Sequence, residues 1–261
     1  MPRVLQQEHG MMCGVGQQRS NMITLGTNNQ VVDLDVMFPV LPEGTIYIAL
    51  TGGVESTILL YLMLEKYPAD RLVACTYRYG DRRLWEYGKA AKIANMFGVK
   101  HVEAGYHANS AHMAVPLEPK AYFNRENGVF DKVKKEDPTF VAGFTGKNTT
   151  TLDPENITPE EQIKYLEWFN VYRPFLMMDK HHTVDLYYKM GAEALLQHTH
   201  SCQTSGDEHC GDCHACWERI DAFDRLGRKD PAIYMQDYDL LVQQVRSFFH
   251  KRWPRNKKET T

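Results

Sequence analysis

The most constraining feature of the sequence is an apolar run, Ile46 to Leu50, that leads directly into Thr51-Gly52-Gly53 and then into a helix-like segment. Glycines adopt backbone angles closed to other residues, and their main-chain N–H groups can approach an anion closely. A helix that begins just after them adds partial positive charge at its N-terminus. The pattern therefore predicts a strand, a phosphate-binding turn and a helix, in that order.

The turn differs from two common phosphate-binding fingerprints. It lacks the lysine of the G-x-x-x-x-G-K-[ST] loop, and its glycine spacing does not fit G-x-G-x-x-G. On these residues alone, a plain strand-to-helix turn explains the pattern as well as nucleotide binding does. The candidate residues for nucleotide binding are Leu50, Thr51, Gly52, Gly53, Val54, Glu55, Ser56 and Thr57, and the family resemblance described below implies that the nucleotide is ATP.

A second motif places four cysteines within fifteen positions: Cys202, Cys210, Cys213 and Cys216. The C-x-x-C spacing of the last three lets a backbone turn direct sulfur atoms at one ion, and four thiolates with no open position are typical of structural zinc. A neighbouring histidine could replace one sulfur, and an iron–sulfur cluster has compatible ligands. Disulfides are disfavoured because nothing in the sequence marks a secreted protein.

Composition narrows the class of protein. The 261 residues, 43% of them hydrophobic, are enough for one α/β domain with a real core. The formal net charge of −3 provides no general basic surface, so nucleic acid is not an expected partner. The sequence has no apolar run long enough for a membrane span and no signal-peptide pattern, so we expect a cytoplasmic protein without a membrane partner.

Apolar periodicity predicts a doubly wound α/β fold with a parallel sheet. Ligands of such sheets bind beyond the carboxyl ends of the strands, where the glycine turn falls. The predicted strands are 46–50, 71–76, 99–104 and 140–145, and the predicted helices are 55–66, 83–97, 159–169, 217–226 and 238–253.

Three regions follow from this organisation. Residues 1–44 are predicted to form a loosely attached arm or an edge strand, residues 45–195 an ATP-binding α/β domain, and residues 196–261 a small zinc-binding helical region. Within the second region, the length of residues 107–138 fits a surface excursion or a substrate lid, and a solvated helix explains the charged run 131–137 equally well.

The glycine turn resembles the PP-loop of the ATP pyrophosphatases, whose usual form is Ser-Gly-Gly-x-Asp-Ser and which here reads Thr51-Gly-Gly-Val-Glu-Ser56. Its pairing with the cysteine motif resembles the 7-cyano-7-deazaguanine synthase family. The segment from Tyr172 to Gly191, which contains Lys180, is similar to the Pro-Leu-x-x-x-x-Lys segment of that family. The family's Pro-Gly-Arg-Asn segment has no clear counterpart in residues 107–138, which leaves the acceptor substrate open.

The resemblance implies a PP-loop, adenine nucleotide alpha hydrolase-like fold. It implies an ATP-dependent ligase that converts 7-carboxy-7-deazaguanine and ammonia into 7-cyano-7-deazaguanine through an adenylated intermediate, with ATP, Mg²⁺ and Zn²⁺ as cofactors and a homodimer as the assembly. The implied catalytic residues are Lys180, Glu55 and Arg82, with Arg83 as the alternative to Arg82. Two other functions stay open: a PP-loop enzyme that adenylates a different acceptor, and a non-catalytic zinc module.

Overall fold

The computed structural model describes residues 22–38, 40–41, 43–77, 84–104, 112–114, 122–124, 129–131, 139–141, 171–172, 174–175, 178–204 and 206–252. Its strands are β1 (Met22–Leu25), β2 (Gln30–Asp33), β3 (Ile46–Ala49), β4 (Leu72–Tyr77), β5 (Lys100–Ala104), β6 (His112–Ala114), β7 (Tyr122–Asn124), β8 (Val129–Asp131), β9 (Thr139–Val141) and β10 (Val171–Tyr172). Its helices are α1 (Leu34–Met37), α2 (Val54–Lys66), α3 (Leu84–Met96), α4 (Lys180–Lys189), α5 (His214–Arg225) and α6 (Tyr238–Arg252), with 3-10 turns at Ala69–Arg71 and Glu193–His198.

Among the described residues, the main sheet has five strands in the order β10-β9-β3-β4-β5, and every neighbouring pair is parallel. Strand β3 lies in the middle, with Tyr47 opposite Val73 of β4 and Phe140 of β9. Its residues are almost continuously apolar because a central strand of a parallel sheet is covered on both faces. The predicted parallel α/β sheet is confirmed. The glycine turn follows its central strand, β3.

Helix α2 follows the turn and supplies much of the core. Its apolar residues, including Val54, Ile58 and Leu59, are buried together with the strand residues Ile46 and Ile48. The helix ends at Lys66, where Tyr67 becomes extended ahead of Pro68, since a residue before proline avoids helical angles. The same hydrophobic cluster extends to Leu196 and to Phe223 of α5, so the sheet that carries the glycine turn and the helix that bears Cys216 share one core.

Part of the predicted arm is packed into this core. Strands β1 and β2 form a separate antiparallel hairpin, and Leu25 is fully buried. The backbone N–H of Gly26 donates to Asp185 Oδ2 at 3.0 Å, and Asn28 Oδ1 lies 2.8 Å from His182 Nε2, both on α4. The prediction of a loosely attached arm or edge strand is therefore wrong for the described residues from 22 onward. The division into three regions stays a prediction.

Within residues 107–138, the part that the structure describes consists of three short strands. Strands β6, β7 and β8 form an antiparallel sheet of their own, with Met113 opposite Phe123 and Phe123 opposite Phe130. The solvated helix that the sequence left open for the charged run 131–137 stays a prediction, because residues 132–138 lie outside the described residues. The predicted helix at 159–169 and the end of the predicted strand at 140–145 lie outside the described residues.

A buried ion pair joins α5 to the loop that follows it. Arg219 is fully buried, and its guanidinium donates to both carboxylate oxygens of Asp230, at 2.6 and 2.8 Å, and to Thr199 Oγ1 at 2.7 Å. Burial alone would raise the pKa of Asp230, but the guanidinium outweighs it and holds that pKa low. In the described ranges, no helix combines the length and apolar character that crossing a bilayer demands.

We expect Asp230→Ala to lower the free energy of unfolding by about 3–5 kcal/mol, because it leaves the Arg219 charge buried without its partner. The exposed Asp239, in the first turn of α6, provides the control: Asp239→Ala should change stability by less than about 0.5 kcal/mol. Denaturant unfolding followed by circular dichroism measures both, and equal losses would contradict a stabilising role for the pair.

Candidate functional site

The glycine turn follows the central strand of the sheet and lies against β4 and α3. Leu50 N donates to Cys75 O at 2.8 Å, and Thr76 Oγ1 donates to Leu50 O at 2.6 Å, which fixes the start of the turn to β4. Gly52 has a φ of +77°, and a Cβ there would lie 3.0 Å from Lys89 Cβ and 3.1 Å from the backbone nitrogen of Ala90. Only glycine combines this backbone angle with such a close approach to α3.

The hydroxyl groups of the turn bond chiefly to the turn itself. Ser56 Oγ accepts from Thr51 N at 3.2 Å and lies 3.1 Å from Thr51 Oγ1, which in turn accepts from Gly53 N at 3.3 Å. Thr57 is fully buried, and its backbone N–H donates to Gly53 O. These contacts show that the Thr51 and Ser56 hydroxyls shape the turn. The donors left for an anion are the backbone N–H groups at the start of α2.

The N-terminus of α2 has no capping side chain among the described residues. Gly53 is the residue before the first turn, with φ −75° and ψ 172°. A Cβ at Gly53 would lie 3.3 Å from Thr51 Oγ1 and 3.9 Å from His200 O, so the glycine leaves a narrow space beside the first N–H groups. Those unpaired N–H groups carry partial positive charge, which suits a phosphate.

Three charged side chains meet beside this space. Lys180, the first residue of α4, places Nζ 3.1 Å from Glu55 Oε1 and 3.1 Å from Glu218 Oε2. The side chains of Lys180, Glu55 and Glu218 are only 10, 17 and 14% exposed. Burial alone would lower the pKa of Lys180, but the two carboxylates outweigh it and raise that pKa, so the lysine is charged. The structure thus brings together Glu55 and Lys180, two of the predicted catalytic residues.

The third predicted catalytic residue, Arg82, and its alternative Arg83 lie outside the described residues, so both stay predictions. Two residues at the site were absent from the sequence-based set. One is Glu218, and the other is Tyr187 of α4, a buried tyrosine whose hydroxyl donates to Val54 O at 2.6 Å. Neither has a local signal, because each reaches the turn only through the packing of a distant helix.

The four predicted cysteines form one compact cluster. Their sulfur atoms all lie within 4.8 Å of one another, and Cys210 Sγ is 4.0 Å from Cys216 Sγ. A tetrahedral zinc ion with sulfur at about 2.3 Å needs sulfur atoms about 3.8 Å apart, so the spacing fits. Cys202 and Cys216 are buried, which shields the cluster from solvent.

Backbone N–H groups donate hydrogen bonds to these sulfur atoms, as they do to thiolates. Cys202 Sγ accepts from Cys210 N at 3.4 Å, and Cys210 Sγ accepts from Asp212 N at 3.4 Å and Cys213 N at 3.3 Å. Hydrogen bonding, first from the Cys216 thiol, lowers the pKa of Cys213 to about 4. The cluster can therefore hold a cation that prefers sulfur, with all four corners of its shell filled by the protein.

The histidines near this cluster have other contacts. His209 Nε2 accepts from Ser201 N at 3.1 Å, and His214 Nδ1 lies 3.4 Å from Glu218 Oε1. The rings of His200 and His209 are tilted against each other with centroids 4.5 Å apart, and the backbone N–H of His200 donates to Gly52 O at 2.8 Å. That last bond connects the segment leading to Cys202 directly to the glycine turn.

Comparison with known proteins gives a consistent family. The model of the family described as Queuosine biosynthesis protein QueC matches residues 155–227, which include Lys180 and all four cysteines. A 7-cyano-7-deazaguanine synthase from Chromobacterium violaceum is 27% identical over 71% of this chain and 92% of its own length. Another, from Archaeoglobus fulgidus, is 28% identical over 74% of this chain and 92% of its own length.

Among solved structures, the U34-tRNA thiolase NcsA from Methanococcus maripaludis with its [4Fe-4S] cluster covers 80% of this chain and 72% of its own, at 13% identity and a TM-score of 0.37. A likeness this distant supports no inference about the site.

The parallel sheet, the glycine turn at its centre and the cysteine cluster define a PP-loop type α/β protein with a candidate metal site. The chain is a homologue of the 7-cyano-7-deazaguanine synthases, so the predicted resemblance to this enzyme family is confirmed.

We expect Gly53→Ala to leave the fold intact, because a φ of −75° suits alanine, but to weaken binding of an ATP analogue at least about tenfold by filling the space beside the first N–H groups of α2. Gly88→Ala in α3 is the control, since a Cβ there meets nothing within 4 Å. Isothermal titration calorimetry measures both, and unchanged affinity of the Gly53 variant would contradict an anion site at this turn.

We expect the purified protein to carry one zinc ion per chain and Cys216→Ala to lose it, because no other described cysteine can complete the shell. Cys75→Ala should retain the metal, since Cys75 is buried in β4 outside the cluster. Elemental analysis reports the metal. A strong chelator should also lower the melting temperature, because metal binding in such a site is folding energy, and an unchanged melting curve without metal would count against this role.

Proposed function

We propose that this protein is a 7-cyano-7-deazaguanine synthase, which uses ATP and ammonia to convert 7-carboxy-7-deazaguanine into the nitrile. The observation that carries the proposal is the similarity to proteins of this name over 71–74% of the chain and 92% of their length. The site supports it independently, since it combines an open helix N-terminus, a buried lysine and a closed cysteine cluster.

The chemistry explains why such a site is needed. A carboxylate oxygen is a poor leaving group, so the carboxylate first attacks the α-phosphorus of ATP and pyrophosphate departs. Ammonia then displaces AMP and leaves an amide. The nitrile forms only when the amide oxygen also leaves, which requires a second adenylation. In each adenylation, negative charge develops on the departing pyrophosphate, and fixed N–H groups and cations stabilise that charge most effectively in a partly buried site.

Each site residue has a role in this scheme. The backbone from Leu50 to Thr57 holds the pyrophosphate at the start of α2, with Thr51 and Ser56 shaping the turn. Lys180 offers positive charge to the phosphates, and Arg82 is proposed as a second cation there. Glu55, beside Gly53, orients the turn and supplies carboxylate oxygen for a metal ion.

Mg²⁺ and Zn²⁺ belong to the proposal in different roles. Mg²⁺ would neutralise phosphate charge, and carboxylate oxygen is a ligand it prefers. A divalent cation suits this place because Glu55, Lys180 and Glu218 together carry a net charge of −1 beside a polyanion. Zn²⁺ would be held by Cys202, Cys210, Cys213 and Cys216 as a structural ion. The proposal also includes a homodimer and a cytoplasmic location, where thiols stay reduced.

The test is to incubate the protein with 7-carboxy-7-deazaguanine, ammonium and Mg-ATP. We expect AMP, pyrophosphate and a product with the mass of the nitrile, and we expect AMP to depend on the deazaguanine acid. Liquid chromatography with mass spectrometry detects all three. AMP that forms with another acceptor but not with this acid would contradict the substrate, and absence of AMP would contradict the enzyme class.

A further inference from the structure

Glu218 is a buried carboxylate that the roles above leave without a function. It lies on α5, two residues after Cys216, and its side chain is 14% exposed. Its Oε2 accepts from Lys180 Nζ at 3.1 Å, and its Oε1 lies 3.4 Å from His214 Nδ1. Burying a carboxylate is costly unless its oxygens are paired, so both contacts are needed to keep it there.

Lys180 lies between two carboxylates, one of which is Glu218. An ammonium has three N–H donors, and in the described part of the chain its two partners are Glu55 and Glu218, each at 3.1 Å. Two carboxylates on different helices fix the position of the ammonium between them, whereas one carboxylate would let the ammonium move about that single contact. Lysine has a long flexible stem, so such fixing limits the position of its charge.

Glu55 connects the Lys180 ammonium to the predicted phosphate space. A Cβ at Gly53 would lie 3.8 Å from Glu55 Oε2, and the other oxygen of that carboxylate is the one that contacts Lys180. The Glu55 carboxylate therefore lies between the Lys180 ammonium and the N-terminus of α2. An ammonium held at this distance can meet a phosphate oxygen without a large movement of its stem.

The position of Glu218 is itself set by the cysteine cluster. Cys213 is the residue that precedes α5, and Cys216 lies in its first turn. A metal ion bound by these cysteines would hold that turn, and with it Glu218, against α4. The contact between Glu218 and Lys180 is thus a side-chain connection from the metal-binding segment to the ATP site, in addition to the backbone bond from His200 to Gly52.

We propose that Glu218 is a positioning residue that orients the Lys180 ammonium toward the bound triphosphate, so that the cysteine-cluster helix completes the ATP site. The inference rests on the proposed ATP-dependent function, but not on the identity of the acceptor.

The experiment measures the dissociation constant of α,β-methylene-ATP with Mg²⁺ for the full chain and for Glu218→Ala and Glu218→Gln. If Glu218 positions Lys180, the alanine variant should bind about tenfold more weakly, and glutamine, which keeps an acceptor oxygen, should recover most of the loss. If Glu218 merely offsets the lysine charge, both variants should bind more tightly, because a negative charge beside a polyanion is gone. Tighter or unchanged binding by both would overturn the proposal.

A double-mutant comparison separates positioning from general damage. In a Lys180→Met background, the loss caused by Glu218→Ala should vanish or reverse, because no ammonium is left to orient. Equal losses in the two backgrounds would overturn the proposal. Glu208→Ala is the control, since Glu208 is an exposed acid in the loop between Cys202 and Cys210. Melting temperature and metal content, measured for every variant, show whether a weaker binder is folded and loaded.

This readout is independent of the synthase assay. Weaker binding by Glu218→Ala with no nitrile formed would retain the positioning role and reject the substrate. Nitrile formation with unchanged binding would do the opposite.

Discussion

The close approach of three chain segments at Gly52 is the constraint on which the site depends. The glycine leaves the central strand with a φ of +77°, the backbone of α3 would lie 3.1 Å from any Cβ there, and the backbone N–H of His200 donates to its carbonyl at 2.8 Å. Since Thr199 to Cys202 leads into the cysteine cluster, the segment that docks on the turn is also the one that starts the metal shell. The candidate nucleotide site and the candidate metal site are therefore built around one point.

Buried charge strengthens the same connection. Arg219, on the cysteine-bearing helix, is paired with Asp230 and reaches Thr199, the residue before His200. Glu218, its neighbour in sequence, pairs with Lys180 of α4. Each pair is costly to bury and stable only with its partner present, so together they admit few alternative packings of α5 against the turn. A structural metal that orders α5 would in this way support catalysis without touching a reactant.

The sequence predicted the parts of this site that have local signatures. The apolar run predicts strand β3, Gly52-Gly53 predicts the turn, and the helical spacing of apolar residues predicts α2. The C-x-x-C spacing predicts the cysteine cluster. The hairpin at Met22–Asp33 was mispredicted because its Gln- and Asn-rich surroundings hid the buried Leu25. Glu218 and Tyr187 could not be predicted, since ordinary helical residues acquire their role only when distant helices pack together.

The proposed function requires that the turn hold a triphosphate whose α-phosphorus is attacked by an oxygen of the acid. To test this, 7-carboxy-7-deazaguanine labelled with ¹⁸O in the carboxylate serves as the substrate, and mass spectrometry follows the label. Each adenylation transfers one carboxyl oxygen to phosphorus, so we expect every AMP released during nitrile formation to carry one ¹⁸O. Unlabelled AMP, or label found in orthophosphate, would contradict it.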